Sequence, residues 1–218
     1  MNKEKKKPWA TKDVMEQIYE KHLWGNNGDE FYSGSGSHNE YIVQPYIKFV
    51  TSFLNSFKTP LTVCDLGCGD FNIGKQLVKH SEKYIAVDIV PNLIKYNQQK
   101  FTAENLEFHC LNIANDELPK GDCALIRQVL QHLSNEEILN VTKKLTQYKY
   151  LIITEHLPET DFIPNKDIVT SLGIRLKKKS GVNLLASPFN LKITNQKELL
   201  SITAKEHKGV ITTTLYTL

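Results

Sequence analysis

The stretch Leu61-Thr-Val-Cys-Asp-Leu-Gly-Cys-Gly-Asp-Phe-Asn72 decides the fold. Five residues of strand-forming character end at the acid Asp65. Two glycines follow one residue apart, Gly67 and Gly69, and then a helix start. The next apolar run, Tyr84-Ile-Ala-Val-Asp88, again ends in an acid. A strand, a glycine turn and a helix, followed by a second acid-terminated strand, make a site for an adenosine-bearing cofactor at the carboxyl edge of a parallel sheet. Glycine lets the backbone approach a ligand closely. An acid ending the second strand accepts hydrogen bonds from ribose hydroxyls.

The glycine spacing separates cofactor classes. A dinucleotide fingerprint reads G-x-G-x-x-G and seats a pyrophosphate on the helix N-terminus. Here the third glycine position is Asn72, and the loop carries Asp65 and Asp70. Two carboxylates repel a pyrophosphate and suit an ammonium and a sulfonium. The pattern Asp65-x-Gly67-x-Gly69 with Asp88 resembles the class I S-adenosylmethionine (SAM)-dependent methyltransferases.

Working outward, strands are predicted at 61–65, 84–88, 106–111, 122–127 and 148–154. Helices are predicted near 72–80, from Pro91 onward, and after the capping box Ser134-x-x-Glu137. Strands alternating with helices give an α/β, doubly wound, mostly parallel sheet. The β-branched stretches up to Glu206 and from Val210 to Leu218 read as a closing antiparallel hairpin, which brings the sheet to seven strands. Before the sheet, 12–24 carries Val14, Met15, Ile18, Tyr19 and Leu23 near one helical face. A second helix carries Tyr46, Phe49, Val50, Phe53, Leu54 and Phe57. The expected division is 1–58 for N-terminal helices and a cofactor lid, then 59–218 for the core, with an insertion at about 155–190 holding Pro158, Pro164, Pro188 and a basic run from Arg175 to Lys179.

The chain has 218 residues, a net charge of +3 and a sequence pI near 8.5. Part of the charge sits in Lys3, Lys5, Lys6 and Lys7, which leaves the body close to neutral, so bulk charge does not argue for nucleic-acid binding. No apolar run approaches the roughly 18 residues of a membrane span. A cytoplasmic protein acting on a small molecule, with no nucleic-acid or membrane partner, is the expectation. Cys64, Cys68, Cys110 and Cys123 fall in or beside predicted strands, where free cysteine behaves as a small hydrophobe, and no metal site is expected. The sequence leaves the oligomeric state open.

The family resemblance implies SAM as cofactor and assigns roles by strand end. Asp65, Gly67 and Gly69 hold the methionine part, and Asp88 with Ile89 holds the ribose and adenine. After strand three, Asn112 stands where the family often has an acid on the adenine amine; Ile113 packs on the ring, and Asp116 is an alternative acid. After strand four, in Arg127-Gln-Val-Leu-Gln-His132, Gln128 faces the sulfonium end and His132 is a candidate base or a helix-capping histidine. Arg127 is a candidate anion holder or an internal partner of Asp65 or Glu155. After strand five, Glu155 and His156 are further catalytic candidates. Phe31-Tyr-Ser-Gly-Ser-Gly-Ser37, with Tyr32, reads as a lid or a flexible linker.

Leu23-Trp-Gly25, the 31–37 segment, Arg127 to His132, and Ser180-Gly-Val182 with Pro188-Phe189 look similar to small bacterial methyltransferases encoded with surface-polysaccharide enzymes. That similarity implies a sugar, nucleotide-linked or phosphoramidate-type acceptor. Two other classes compete: a SAM-binding regulatory domain without turnover, which has no need of polar residues at the sheet edge, and a nicotinamide oxidoreductase, which the glycine spacing disfavours.

Overall fold

The computed structural model describes residues 9–203 and 209–218. The lysine-rich start and His207 of the expected hairpin turn lie outside the described residues. Seven strands form one sheet: β1 (Thr62–Leu66), β2 (Lys83–Asp88), β3 (Leu106–Cys110), β4 (Cys123–Arg127), β5 (Tyr150–Leu157), β6 (Asn195–Thr203) and β7 (Val210–Thr217). Their order is β3-β2-β1-β4-β5-β7-β6. The first five are parallel, while β7 runs antiparallel to β5 and β6 antiparallel to β7.

Central strands of a parallel sheet are covered on both faces and read as continuous apolar runs. In β1, Val63, Cys64, Asp65 and Leu66 are all buried, and so are the last five residues of β2. On one face the core takes Met15, Ile18 and Tyr19 of α1 (Thr11–Glu20) with Ile138, Val141 and Leu145 of α6 (Asn135–Leu145). On the other it takes Tyr46, Val50 and Leu54 of α3 (Glu40–Leu54) and Leu77 of α4 (Gly74–Leu77). A single turn, α2 (Ser35–His38), precedes α3, and α5 (Pro91–Lys100) links β2 to β3. The N-terminal helices therefore complete both faces of the core.

Three expectations shift. The helix expected near 72–80 is only the single turn of α4 plus a 3-10 turn at Val78–His80. The first helix stops at Glu20, and Leu23 beyond it is exposed. Strand five runs on to Leu157, so Glu155 and His156 lie inside β5, paired with Thr212 and Ile211 of β7. Pairing with β7 extends the strand past the point where the parallel neighbours stop, so the insertion spans 158–194, later than expected.

The capping box is present: Ser134 accepts from the Glu137 amide, and Glu137 reaches back to the Ser134 amide at 3.0 Å. Glu137 also accepts from the hydroxyls of Thr11 and Thr170. One carboxylate thereby ties α1, α6 and the insertion together. Burial pushes this carboxyl up, but the hydrogen bonds from Thr11, Thr170 and Ser134 bring it below its ordinary value.

Candidate active site

A cavity of about 750 Å³ opens at the carboxyl ends of β1, β2, β4 and β5. Ligands of doubly wound sheets bind on this side, outside the strand ends. Gly67 and Gly69 form its floor with φ of +94° and +56°. A Cβ at Gly67 would overlap Val129, so this turn requires glycine for both conformation and space.

Asp88 is buried and lines the cavity. Its Oδ2 accepts from the Gly69 amide at 3.0 Å and its Oδ1 from the Val90 amide at 3.1 Å. Burial raises its pKa. A carboxylate has about four acceptor positions, so capacity for a neighbouring diol remains. Ile89, Asn112 and Ile113 line the same end. The Asn112 side-chain oxygen accepts from the Ala114 amide at 2.9 Å. Asp116 accepts from the Asn112 amide at 2.8 Å and is spent on this turn, outside the cavity wall.

Asp65 does not line the main cavity. It sits behind Gly67 in a small neighbouring void, where Tyr84 donates to its Oδ2 at 2.9 Å. Burial pushes its carboxyl up to about 7. Asp70 turns away as well: it accepts from the Ser33 amide at 2.7 Å and lies 2.6 Å from His38 Nε2. Its own amide donates to Ser33 Oγ at 2.8 Å. The acids expected beside an ammonium and a sulfonium instead brace the turn and anchor the 31–38 segment.

That segment covers the cavity with Ser33 to Ser37. Tyr32 lies outside the wall, its ring 4.5 Å from that of His38. Arg127, at the end of β4, donates from Nη2 to the Gly36 carbonyl at 2.5 Å and from Nη1 to Ser37 Oγ at 3.4 Å and Gln128 Oε1 at 3.2 Å. Its guanidinium lies 5.1 Å from the Tyr46 ring centre. Neither Asp65 nor Glu155 pairs with it within 4.0 Å among the described residues. Burial lowers its pKa, and Nε has no partner.

Gln128 adopts φ +57°, with its amide held by the Thr154 carbonyl at 2.7 Å. A non-glycine residue in this region is uncommon and clusters at functional sites. Nothing in the linear sequence announces it.

His132 and His156 both line the cavity, while Glu155 does not. Successive residues of a strand face opposite sides, so Glu155 turns to the insertion as His156 turns to the cavity. His132 Nδ1 faces the Ser171 carbonyl at 3.3 Å, and Nε2 faces Gln131 Nε2 at 3.3 Å. Burial holds its pKa down to about 4, so the ring is neutral at neutral pH. Gln131 also accepts from the His156 amide at 3.2 Å. Burial pushes Glu155 up to about 8 against the pull of the Arg175 cation.

Sequence reasoning missed much of the wall. Tyr19 and Trp24 from the N-terminal region line it, as do Leu172 and Ile174 from the insertion; Lys177, of the basic run read from the sequence, lines it too. Arg175 and Lys177 of the basic run divide between the core and the cavity wall. Arg175 is buried at 1% exposure and donates to the carbonyls of Lys166, Leu130, Gln131 and Leu133 and to Asn135 Oδ1.

Known proteins resemble this chain at two levels. Residues 63–148 match the methyltransferase domain family. A stretch of 63 residues, 28% of the chain, is 36% identical to malonyl-[acyl-carrier protein] O-methyltransferase of Acetivibrio thermocellus and covers 22% of that protein. The chain thus matches only about a fifth of the length of this curated relative. The N-methyltransferase NodS of Bradyrhizobium japonicum, solved with S-adenosyl-L-homocysteine (SAH), superposes with a TM-score of 0.67 at 12% identity, over 94% of this chain and 99% of that one. Magnesium protoporphyrin IX methyltransferase of Synechocystis, solved with SAM, gives 0.60 at 16% identity, over 98% and 100%. The chain therefore matches a methyltransferase domain family over residues 63–148 and adopts the class I methyltransferase fold over 94% of its length.

Proposed function

We propose that this protein is a cytoplasmic enzyme that transfers a methyl group from SAM to a small anionic acceptor. The observation that carries the reading is the cavity itself. It runs from a buried carboxylate at the end of β2, across a Gly-x-Gly floor, to His132 after β4, His156 near the end of β5 and Lys177 of the insertion. Asp88 accepts from the ribose hydroxyls, Ile89 and Ile113 sandwich the adenine, and Asn112 contacts its amine. Gly67, Gly69 and Gln128 cradle the methionine part, while Asp65 braces that turn from behind through Tyr84.

SAM supplies the electrophilic methyl. The chain's own task is to align an acceptor atom with it and keep water out. The Ser33–Ser37 cover and Arg127, which holds it, serve the second purpose. Where the acceptor atom carries a proton, His156 is the candidate to receive it. His132 is a poor base, since burial depresses its pKa and Gln131 faces its Nε2. Among the described residues lining the cavity, Asp88 is the single carboxylate, so the acceptor end bears no negative charge. A sugar-linked or phosphoramidate-type precursor of surface polysaccharide is one source of an anionic acceptor.

The test is calorimetry with SAH. Asp88→Ala is expected to weaken binding by about 1.5–3 kcal/mol, the range for hydrogen bonds to a charged group. Equal affinity of the variant and the parent would sink the assignment.

A further inference from the structure

Strand order gives the cavity two ends. Asp88 ends β2, and the insertion leaves β5, three strands away in the order β2-β1-β4-β5. Neighbouring strands lie about 4.8 Å apart, so these ends are separated by roughly 14 Å. If the β2 end takes the adenosine, the acceptor lies towards β5, and its chemistry is written in the insertion.

There the wall is apolar. Leu172, Ile174 and Leu176 of the insertion line it together with Ile42 of α3 and Ile211 of β7. Leu172 is 41% exposed, an apolar side chain left open towards the cavity. Two of the polar groups nearby, Gln131 and Arg127, are already engaged. Gln131 spends its oxygen on the His156 amide and turns its nitrogen to His132. The guanidinium nitrogens of Arg127 that reach the cover are spent on Gly36, Ser37 and Gln128. A polyhydroxylated body would leave hydroxyls without partners there, which is costly.

One cation of the basic run reaches the cavity wall. In the run Arg175–Lys179, Arg175 is buried as a clamp, and Lys178 donates to the Asp167 carbonyl at 2.6 Å. Lys177 lines the cavity, with no carboxylate within 4.0 Å among the described residues. The Arg175 clamp and a 3-10 turn at Arg175–Lys178 fix the position of Leu176 and Lys177.

Resting on the methyltransferase reading, we propose that the acceptor is amphipathic: an apolar body seated on Leu172, Ile174 and Leu176, and an anion, carboxylate or phosphate, held by Lys177. An apolar surface rimmed by the Lys177 cation selects such a molecule over a free sugar phosphate, because only the amphipathic one removes that surface from water.

The experiment uses the full chain. SAH is titrated first; failure to bind it would sink the methyltransferase reading. SAH-loaded protein is then titrated with octanoate, octyl phosphate, inorganic phosphate and glucose 6-phosphate. The octyl compounds are expected to bind more tightly than the other two, and their rank order tells carboxylate from phosphate. Lys177→Gln, an exposed change that leaves the fold intact, should weaken them roughly tenfold or more. Leu176→Asn should weaken them while leaving inorganic phosphate unchanged. Intact SAH binding would overturn this proposal alone if it came with tighter binding of glucose 6-phosphate, with no binding of either octyl compound, or with unchanged affinity in Lys177→Gln.

Discussion

Asp65, one residue before the end of β1, and Asp88, which ends the neighbouring β2, meet different fates. Asp88 faces the cavity while holding the Gly69 and Val90 amides. Asp65 faces Tyr84 across the β1–β2 pairing and never reaches the main cavity. The linear pattern gives two acids; which one faces the ligand depends on where each side chain points in three dimensions. The histidines divide in the same way. His156→Ala is expected to lower kcat by about 10²–10⁴-fold, the usual share of general-base help, with SAH affinity unchanged. His132 stays neutral at any pH above about 4, so His132→Ala should leave the shape of the kcat profile over roughly pH 6–9 as it was. Turnover profiles of both variants on an accepted substrate check this. A His132→Ala profile that lost an inflection near neutrality would contradict the assignment.

At the scale of elements, the 31–38 segment owes its place to distant residues. Asp70 after β1 holds Ser33 and His38, Asn72 donates to the Ser37 carbonyl at 2.8 Å, and Arg127 after β4 holds Gly36. A glycine-rich stretch without these ties would be a linker, and composition alone cannot separate the two. The ties are partly buried hydrogen bonds to separate elements rather than a strand ladder, so the segment opens more readily than the core strands. Amide exchange over 31–38 should slow on adding SAH, as for a cover that closes on its ligand. Asp70→Asn should speed exchange in the same stretch without ligand, because the charge that holds His38 and the Ser33 amide is gone. Gly67→Ala tests the turn beneath. The positive φ and the clash with Val129 should destabilise the fold by about 1–3 kcal/mol in urea unfolding.

For the whole molecule, the insertion is stapled to the sheet by Arg175. Its guanidinium gathers carbonyls from 130–133 and from Lys166, beside a buried Glu155 whose carboxylate oxygens lack hydrogen-bond partners of good geometry. Arg175→Met leaves those carbonyls without their donor, and should cost about 1–3 kcal/mol of stability. The pH dependence follows from two buried acids. Glu155 is raised to about 8 and Asp65 to about 7, so the folded chain holds protons that the unfolded chain releases at lower pH. Their contribution is complete below the ordinary carboxylate range and is lost as pH rises through about 7–8. Tm should therefore fall between about pH 5 and 8, and Glu155→Gln should flatten that fall. No helix among the described residues is long and apolar enough to cross a membrane.

What the sequence determined by itself was local and periodic. The strand and glycine turn at 62–69, the acid end of β2, the Ser134–Glu137 capping box and the closing hairpin all follow from residue type and spacing, because short-range sterics and strand periodicity act within a few residues. The extent of β5, the turning of Arg175 inward and Lys177 to the cavity, the strained Gln128 and the use of Asp70 as an anchor were decided only by the tertiary structure. Each depends on a partner 30 or more residues away or on a neighbouring strand: β7 for β5, Leu130 to Leu133 for Arg175, Thr154 for Gln128 and Ser33 for Asp70. Burial and hydrogen-bond satisfaction act over that range, and no window of sequence contains both partners.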